Sequence, residues 1–201
     1  MSETVKILAN SNSGSVNFTA TNIANAYTDT TSTTYAQLTV SKKNSTGEIY
    51  FGFDFSSIPS NAVIQSMTVK FKGMVSSTTY ISSATIQAHD GVSVRGTSSN
   101  YRSTSTTQIL TLNVGTWTRE ELNNFKLYLT ARKGNNNNTA YARVYGMEVT
   151  VVYDVPEEQM YMKQNGSWIP VQAVYKKANG AWVLQSDLAS VFDVNTNYQK
   201  G

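Results

Sequence analysis

The stretch Glu48-Ile49-Tyr50-Phe51-Gly52-Phe53-Asp54-Phe55 has an apolar residue at every second position. Such an alternation is the pattern of a β-strand that buries one face in a core and exposes the other to water. The segment Met67–Lys72 repeats the pattern, with Met67, Val69 and Phe71 on the apolar face. Both segments therefore predict half-buried strands.

The same alternation recurs from the N-terminus to Tyr153. Val16, Phe18 and Ala20 form a further apolar face, and Gly146 interrupts the last candidate strand, where it predicts a β-bulge. The other candidate strands are Val5–Leu8, Gln37–Val40, Thr85–His89, Gln108–Val114, Lys126–Arg132 and Tyr141–Tyr153. Many short strands at this spacing predict an all-β fold, an antiparallel β-sandwich of either jelly-roll or immunoglobulin-like type.

Helical signals in the chain are short. Thr118 and Glu121 have the spacing of a capping box, and the turn that they begin is expected to end near Asn124. A second short helical turn is expected around Asp187–Phe192. The turn after Thr118 is too short to be more than a connector between two strands.

The composition indicates a polar surface of low charge. Charged residues make up 14% of the chain, well below the roughly 25% of an ordinary soluble domain. Ser, Thr and Asn take their place, as in the runs Thr30–Thr34 and Ser103–Thr107. The net charge of +3 comes from scattered Lys and Arg residues, whereas a nucleic-acid-binding protein clusters them on one face. We therefore expect no nucleic-acid partner.

The sequence lacks cysteine, and it lacks a signal peptide or membrane-spanning segment, and both absences narrow the classes of function to be considered. The chain contains no cysteine, which excludes disulfides, thiolate nucleophiles and cysteine-based zinc sites. Residues 1–20 have no basic segment followed by an apolar one, and no run approaches the ~18 apolar residues of a membrane span. We expect a protein that is made in a cytoplasm, carries no signal peptide and has no membrane partner.

Near the C-terminus the pattern Tyr-x-Lys-x-Asn-Gly-x-Trp occurs twice. An Asn-Gly pair between two extended apolar segments is the strongest short-range signal for a two-residue hairpin, because both residues tolerate a positive φ. In each hairpin the lysine lies opposite the tryptophan, so that its stem can cover the indole ring. The residues are Tyr161, Lys163 and Trp168 in the first copy and Tyr175, Lys177 and Trp182 in the second.

The segment Asp154-Val155-Pro156-Glu157-Glu158 separates this repeat from the strands before it. Proline and adjacent acidic residues after a long strand indicate a linker. The sequence thus predicts a sandwich domain over residues 1–153, a linker over 154–159, and a module of Asn-Gly hairpins with a polar tail over 160–201. Two hairpins alone are marginally stable in water, so the repeated Tyr, Lys and Trp residues are candidate packing and attachment residues.

The sequence offers few residues for catalysis. His89 is the one histidine, so we expect neither a Ser-His-Asp triad nor a multi-histidine metal site. We expect a structural role for His89 at a strand end that enters a turn. Glycoside hydrolysis needs only two carboxylates. The candidates for such a pair are Glu48, Asp54, Asp90 and Glu148, of which Asp54 is expected at the surface. We expect no enzymatic activity, no cofactor and no metal.

Loops and aromatic residues lead to two more expectations. The run Asn135–Asn138 lacks the carboxylates of a calcium site, and we expect a flexible hairpin tip there. Trp117, Trp168 and Trp182 are expected to be packing residues. Exposed aromatic rings can also stack on sugars, and a carbohydrate-binding protein would gather such rings on one open surface. The tyrosines considered for that surface are Tyr27, Tyr35, Tyr80, Tyr101 and Tyr141.

The stretch Phe51-x-Phe53-Asp54-Phe55-Ser56-Ser57-Ile58-Pro59-x-x-Ala62-x-Ile64 resembles a recurring β-sandwich unit of structural proteins of tailed phages. A variant of it also occurs in extracellular carbohydrate-associated sandwich modules. The C-terminal repeat is similar to appendages on virion proteins of phages that infect Gram-positive hosts. Three further stretches strengthen the phage resemblance: Ala26-Tyr27-Thr28-Asp29, Thr34-Tyr35-Ala36 and Val144-Tyr145-Gly146-x-Glu148-Val149-x-Val151-x-Tyr153.

The resemblance implies a non-enzymatic virion protein on the particle exterior, either a capsid decoration or a tail or baseplate accessory protein. Its partners would be other virion proteins, and its copies are expected to form a homo-oligomer on the particle. Many symmetric copies compensate for weak single contacts through effective concentration. The competing hypothesis is a carbohydrate-binding or host-receptor-binding module with a host surface glycan as its ligand.

Overall fold

The computed structural model describes residues 2–156 in full and, beyond them, the backbone of four short strands. By its internal contacts the chain divides into two compact units, Met1–Val155 and Pro156–Gly201. The strands of the first unit, in chain order, are β1 (Ser2–Val16), β2 (Phe18–Thr21), β3 (Ala36–Val40), β4 (Thr46–Phe53), β5 (Val63–Val75), β6 (Ile81–His89), β7 (Val94–Asn100), β8 (Ile109–Leu112), β9 (Lys126–Lys133) and β10 (Ala140–Asp154).

These strands form an antiparallel β-sandwich, as the alternation predicts. In the first sheet, here called sheet A, β10 is central, with β5 and then β8 on one side. On its other side, the N-terminal part of β10 pairs with β3, and β3 pairs in turn with β2. The C-terminal part of β10 pairs with the N-terminal half of β1. Sheet B has the order β1–β4–β9–β6–β7, and β1 enters it with its C-terminal half. A single strand, β1, therefore belongs to both sheets.

The core lies between the two sheets and is built by the apolar positions of the alternating segments. Ile49 and Phe51 from sheet B and Val69 and Phe71 from sheet A are completely buried. Fully burying one such side chain contributes about 1.5–3 kcal/mol. The two stretches that predict half-buried strands thus supply facing walls of one core.

The predicted apolar face of Val16, Phe18 and Ala20 is wrong. Asn17 lies between two strands with a φ of 55°, in the left-handed region that extended chain does not occupy. β1 ends before it and β2 begins after it. Val16 is consequently 51% exposed, and Ala20 is exposed as well.

The run Asn135–Asn138 is not the tip of a hairpin, which corrects a second expectation. β9 pairs with β4 and β6 in sheet B, whereas β10 pairs with strands of sheet A. The loop therefore carries the chain from one sheet to the other. Within it the Asn136 side-chain amide donates a hydrogen bond to the carbonyl oxygen of Tyr80 at 3.3 Å.

Two local predictions are confirmed. The register of β10 against β5 shifts between Val144 and Gly146, so Tyr145 is the extra residue of a β-bulge. The capping box is present, because the Thr118 amide donates to the Glu121 carboxylate at 2.8 Å and the Glu121 amide donates to the Thr118 hydroxyl at 3.2 Å. It precedes a 3-10 helix at Glu121–Asn124, and another such helix occupies Ile23–Ala26.

The second unit contains two hairpins with the same register. Strands Tyr161–Gln164 and Ser167–Pro170 form the first, and strands Tyr175–Ala178 and Ala181–Leu184 form the second. The pairs across them include Lys163 with Trp168 and Lys177 with Trp182. The two Asn-Gly turns, the second half of the predicted linker, the expected helical turn at 187–192 and the tail lie outside the described residues.

Candidate functional site

Sheet B carries a group of aromatic rings on its outer face. Tyr50 of β4 is the cross-strand neighbour of Tyr128 of β9, and His89 of β6 is the neighbour of Lys126 one row away. The rings of Tyr50 and Tyr128 are stacked with centroids 4.7 Å apart, and the His89 ring meets Tyr50 edge-on at 5.1 Å. We call Tyr50, Tyr128, His89 and Lys126 the sheet B cluster.

A small open cleft lies beside this cluster. Its volume is about 240 Å³, and it is lined by Ser13, Gly14, Tyr50, His89, Gly91 and Lys126. The Lys126 ammonium nitrogen is 5.9 Å from the centre of the Tyr50 ring, within the range of a cation–π contact. β1 also approaches the ring closely, because a Cβ at Gly14 would lie 2.9 Å from Tyr50 Cδ2.

The turn after β6 orients His89. Its Nδ1 accepts a hydrogen bond from the Gly91 amide at 3.0 Å, so a neutral imidazole carries its proton on Nε2 and donates from there. Asp90 Oδ1 accepts from the amides of Ser93 at 2.7 Å and Val92 at 2.9 Å. These bonds, with Arg95 at 3.5 Å, lower the pKa of Asp90 to about 2. The prediction that His89 ends a strand and enters a turn is confirmed.

Of the carboxylates considered for a glycosidase pair, Asp54 and Asp90 take part in turns and Glu148 takes part in an ion pair. Asp54 is exposed and accepts a hydrogen bond from the Ser56 amide at 2.9 Å, which is a capping role. Glu148 is nearly buried on sheet A and forms an ion pair with Lys6 at 2.9 Å. Glu48 lies on sheet B, close to Tyr128. The pKa of the Tyr128 hydroxyl is raised mainly by its own burial and, to a smaller extent, by the Glu48 carboxylate. Glu48 and Glu148 are thus on different sheets.

The five tyrosines considered for an open surface do not form one. Tyr101 is completely buried against Phe71, and its hydroxyl donates to the Thr130 carbonyl oxygen at 3.0 Å. Tyr35 and Tyr141 flank the Arg143 guanidinium at 4.1 and 5.0 Å. Tyr27 instead donates to Asn12 Oδ1 at 2.6 Å, and Tyr80 lies near the loop from β9 to β10.

Sequence reasoning missed Tyr50 and Tyr128 as site residues. Both occupy the outward position of a strand whose neighbouring residues, such as Ile49 and Leu129, are completely buried. The available signal was an aromatic residue at a position where the alternation expects a polar one. That signal does not show that the two rings meet, because β4 and β9 are distant in the sequence.

Of the residues predicted to be packing or attachment residues, Trp117 lies in the sandwich and the others lie in the two hairpins. Trp117 is buried, and its indole nitrogen donates to the Val114 carbonyl oxygen at 2.8 Å, which confirms a packing role. The backbones of Tyr161, Lys163, Trp168, Tyr175, Lys177 and Trp182 lie in the two hairpins, and their side chains are outside the described structure.

Within the fully described residues 2–156, no three His, Asp or Glu side chains are grouped so that they could hold a metal ion. The helices found in the described part of the chain are too short to cross a membrane. Comparison with known protein families, with curated proteins and with solved structures finds no match to this chain.

Proposed function

We propose that this chain is a non-enzymatic structural protein on the exterior of a phage particle, as a capsid decoration or a tail or baseplate accessory protein. The observation that carries the proposal is the pair of equivalent hairpins. Both have the same register and the same Lys-to-Trp pairing, and they belong to a unit separate from the sandwich. A duplicated element of this kind suits attachment through repeated weak contacts.

The proposed mechanism is multivalent attachment. A two-stranded hairpin is marginally stable alone in water, so each hairpin would be stabilised by the surface that it contacts. Two hairpins in one chain make the second contact intramolecular, and many copies on a symmetric particle repeat the effect. The sandwich would serve as the exposed polar body, and the other virion proteins and neighbouring copies would be the partners.

The roles of the described acidic residues support the non-enzymatic part of the proposal. Asp54 and Asp90 hold turns, Glu121 completes a capping box and binds Arg95 at 3.1 Å, and Glu148 pairs with Lys6. The hydrogen bonds to Asp54, Asp90 and Glu121 lower the pKa of each of these carboxyl groups, whereas a general acid needs a raised pKa.

Incorporation into particles tests the proposal. The phage that encodes the chain would be grown with Trp168→Ala, Trp182→Ala or both, and the protein would be quantified in purified virions. We expect each single variant to reduce the copy number and the double variant to reduce it more, because the contacts act together. Lys70→Ala, an exposed change on sheet A, is the control and should incorporate normally. Absence of the wild-type protein from purified virions, or normal incorporation of the double variant, would contradict the proposal.

A second candidate function is binding of a host surface glycan or receptor. The specific observation in its favour is the sheet B cluster, in which the Tyr50 ring, the His89 imidazole and the Lys126 ammonium group border an open cleft and Tyr128 stacks on Tyr50. Aromatic rings with a few polar groups are the usual composition of small-molecule sites. This function is compatible with an exterior position on a particle.

A further inference from the structure

The polar groups that line the cleft beside the sheet B cluster are mainly donors. Lys126 contributes an ammonium group, and His89 contributes Nε2 because its Nδ1 is occupied by the Gly91 amide. Ser13 adds a hydroxyl, and Tyr50 an aromatic ring. The six residues that line the cleft include no carboxylate. A ligand that matches them carries acceptor oxygens and negative charge.

The charge of Lys126 is not balanced by a neighbour within residues 2–156. The ion pairs in this part of the chain are made by Lys6 and Arg95. Asp90 is adjacent to His89 in sequence, but its oxygens bind the Val92 and Ser93 amides and Arg95. Glu48 pairs across the sheet with Thr130, whereas Lys126 pairs with Gly52. That separation of four residues is about 13 Å along the strand.

The size of the cleft limits the ligand. At about 240 Å³ it is smaller than the roughly 300–1,000 Å³ of sites that enclose a drug-sized molecule. It is also open, so that a single ring unit can enter while the rest of a longer chain stays in solvent. The rings of Tyr50 and His89 provide apolar surface for a sugar ring, and Lys126 lies close enough to Tyr50 to meet a charged substituent of that ring.

We propose that this cleft binds an anionic sugar unit of a glycan. The sugar ring contacts Tyr50 and His89, and its carboxylate or phosphate accepts charge-assisted hydrogen bonds from Lys126 and from His89 Nε2. The inference rests on the second candidate function, glycan binding, and is independent of the proposed attachment through the hairpins. It adds the location of the glycan site, the negative charge of the ligand and the residues that contact it.

Titration of the purified full-length protein with paired small probes tests the inference. Methyl glucuronide is compared with methyl glucoside, and glucose 6-phosphate with glucose, so that each pair differs in its anionic group. His89 is the only histidine in the chain, so its ring resonances in an NMR spectrum report on this one site. We expect the anionic member of at least one pair to shift these resonances at lower concentration than its neutral partner. We also expect the affinity to fall as salt is added. The pair that responds shows whether the cleft prefers a carboxylate or a phosphate on the sugar.

Variants of Lys126 locate the contact. Lys126→Met keeps the side-chain length without the charge, and we expect it to weaken binding of the anionic probe about tenfold or more. Lys126→Arg should retain most of the affinity, and Lys70→Met, the same change on the outer face of sheet A, should have no effect. Circular dichroism melting shows whether each variant is folded.

The outcomes separate the inference from the function on which it rests. If neutral and anionic probes bind equally well, glycan binding stands and the anionic specificity is wrong. If no probe shifts the His89 resonances at millimolar concentration, both the specificity and glycan binding at this cleft are wrong. Equal losses for Lys126→Met and Lys70→Met would show non-specific electrostatic attraction and would also overturn the inference.

Discussion

At position 146 the chain has no room for a side chain. A Cβ there would overlap the carbonyl oxygen of Asp29, and it would lie 2.6 Å from that of Thr28. The Thr28 segment is held in place because the Met147 amide donates to the Thr28 carbonyl oxygen at 3.0 Å and the Thr28 hydroxyl donates to the Tyr145 carbonyl oxygen at 2.8 Å. The glycine thus permits both the bulge and the close approach of a loop to sheet A.

Gly146→Ala should therefore destabilise the sandwich by roughly 1–3 kcal/mol, the usual cost of overpacking a rigid site. The free energy of unfolding in urea measures the effect. Gly134→Ala is the matched control, because its nearest side-chain and backbone neighbours would be 3.5 and 3.6 Å from the new Cβ. We expect that variant to stay within about 0.5 kcal/mol of wild type. Equal stability of the two variants would show that the Thr28 segment moves away at little cost.

At the scale of elements, the turn between β6 and β7 is held by one carboxylate. Asp90 accepts hydrogen bonds from two backbone amides of the turn and lies 3.5 Å from Arg95. These contacts favour the ionised form, with the amide of Ser93 as the largest cause, and lower the pKa of Asp90 to about 2. The same turn orients His89, so its stability bears on the cleft as well as on the sheet.

The pH dependence follows from the direction of this shift. The pKa in the folded protein, about 2, lies below the ~3.9 of an unfolded chain, so ionisation of Asp90 stabilises the fold. That stabilisation is present above about pH 4 and is lost as the pH falls towards 2. Asp90→Asn keeps an acceptor oxygen and removes the charge. We expect it to be less stable than wild type at pH 6 and to approach wild type near pH 2 in urea unfolding. A difference in stability that does not change with pH would contradict this assignment.

At the scale of the whole molecule, β1 and β10 connect the sandwich. β1 pairs with β10 in sheet A through its first half and with β4 in sheet B through its second half. β10 runs to Asp154, which pairs with Ser2 and accepts a hydrogen bond from its hydroxyl at 2.7 Å. Val155 also packs against the core. The ends of the first unit thus contribute to its stability.

The boundary predicted at Tyr153 can be tested by truncation. We expect a fragment of residues 1–156 to fold and melt cooperatively, because it keeps all the contacts described for the first unit. A fragment of residues 1–153 should be less stable by roughly 1–2 kcal/mol, since it loses the Asp154 pairing and the packing of Val155. Urea unfolding of both fragments measures the difference. Aggregation of the longer fragment would show that the sandwich requires the hairpin unit.

Local signals in the sequence were sufficient for the type and place of many elements. The alternation in Glu48–Phe55 and Met67–Lys72, the glycine of the bulge and the capping box at Thr118 each involve residues close together in the chain. Their physical causes act over the same short range, through the pleat of a strand, the freedom of glycine and the reach of a side chain to a nearby amide. Asn17 was the exception, because a single left-handed residue ends an alternation that otherwise looks continuous.

The sequence by itself thus determined that the chain is all-β and which side of β4 and of β5 faces the core. Only the tertiary structure decided that β1 serves both sheets, that Asn135–Asn138 joins two sheets, and that Tyr50 and Tyr128 stack on one outer face. The physical reason is that the alternation of apolar and polar residues specifies which face of the sheet a side chain is on. It does not specify which residue of another strand lies beside it. The neighbour is set by hydrogen bonds between strands that are distant in sequence, and the sheet B cluster exists only through those pairings.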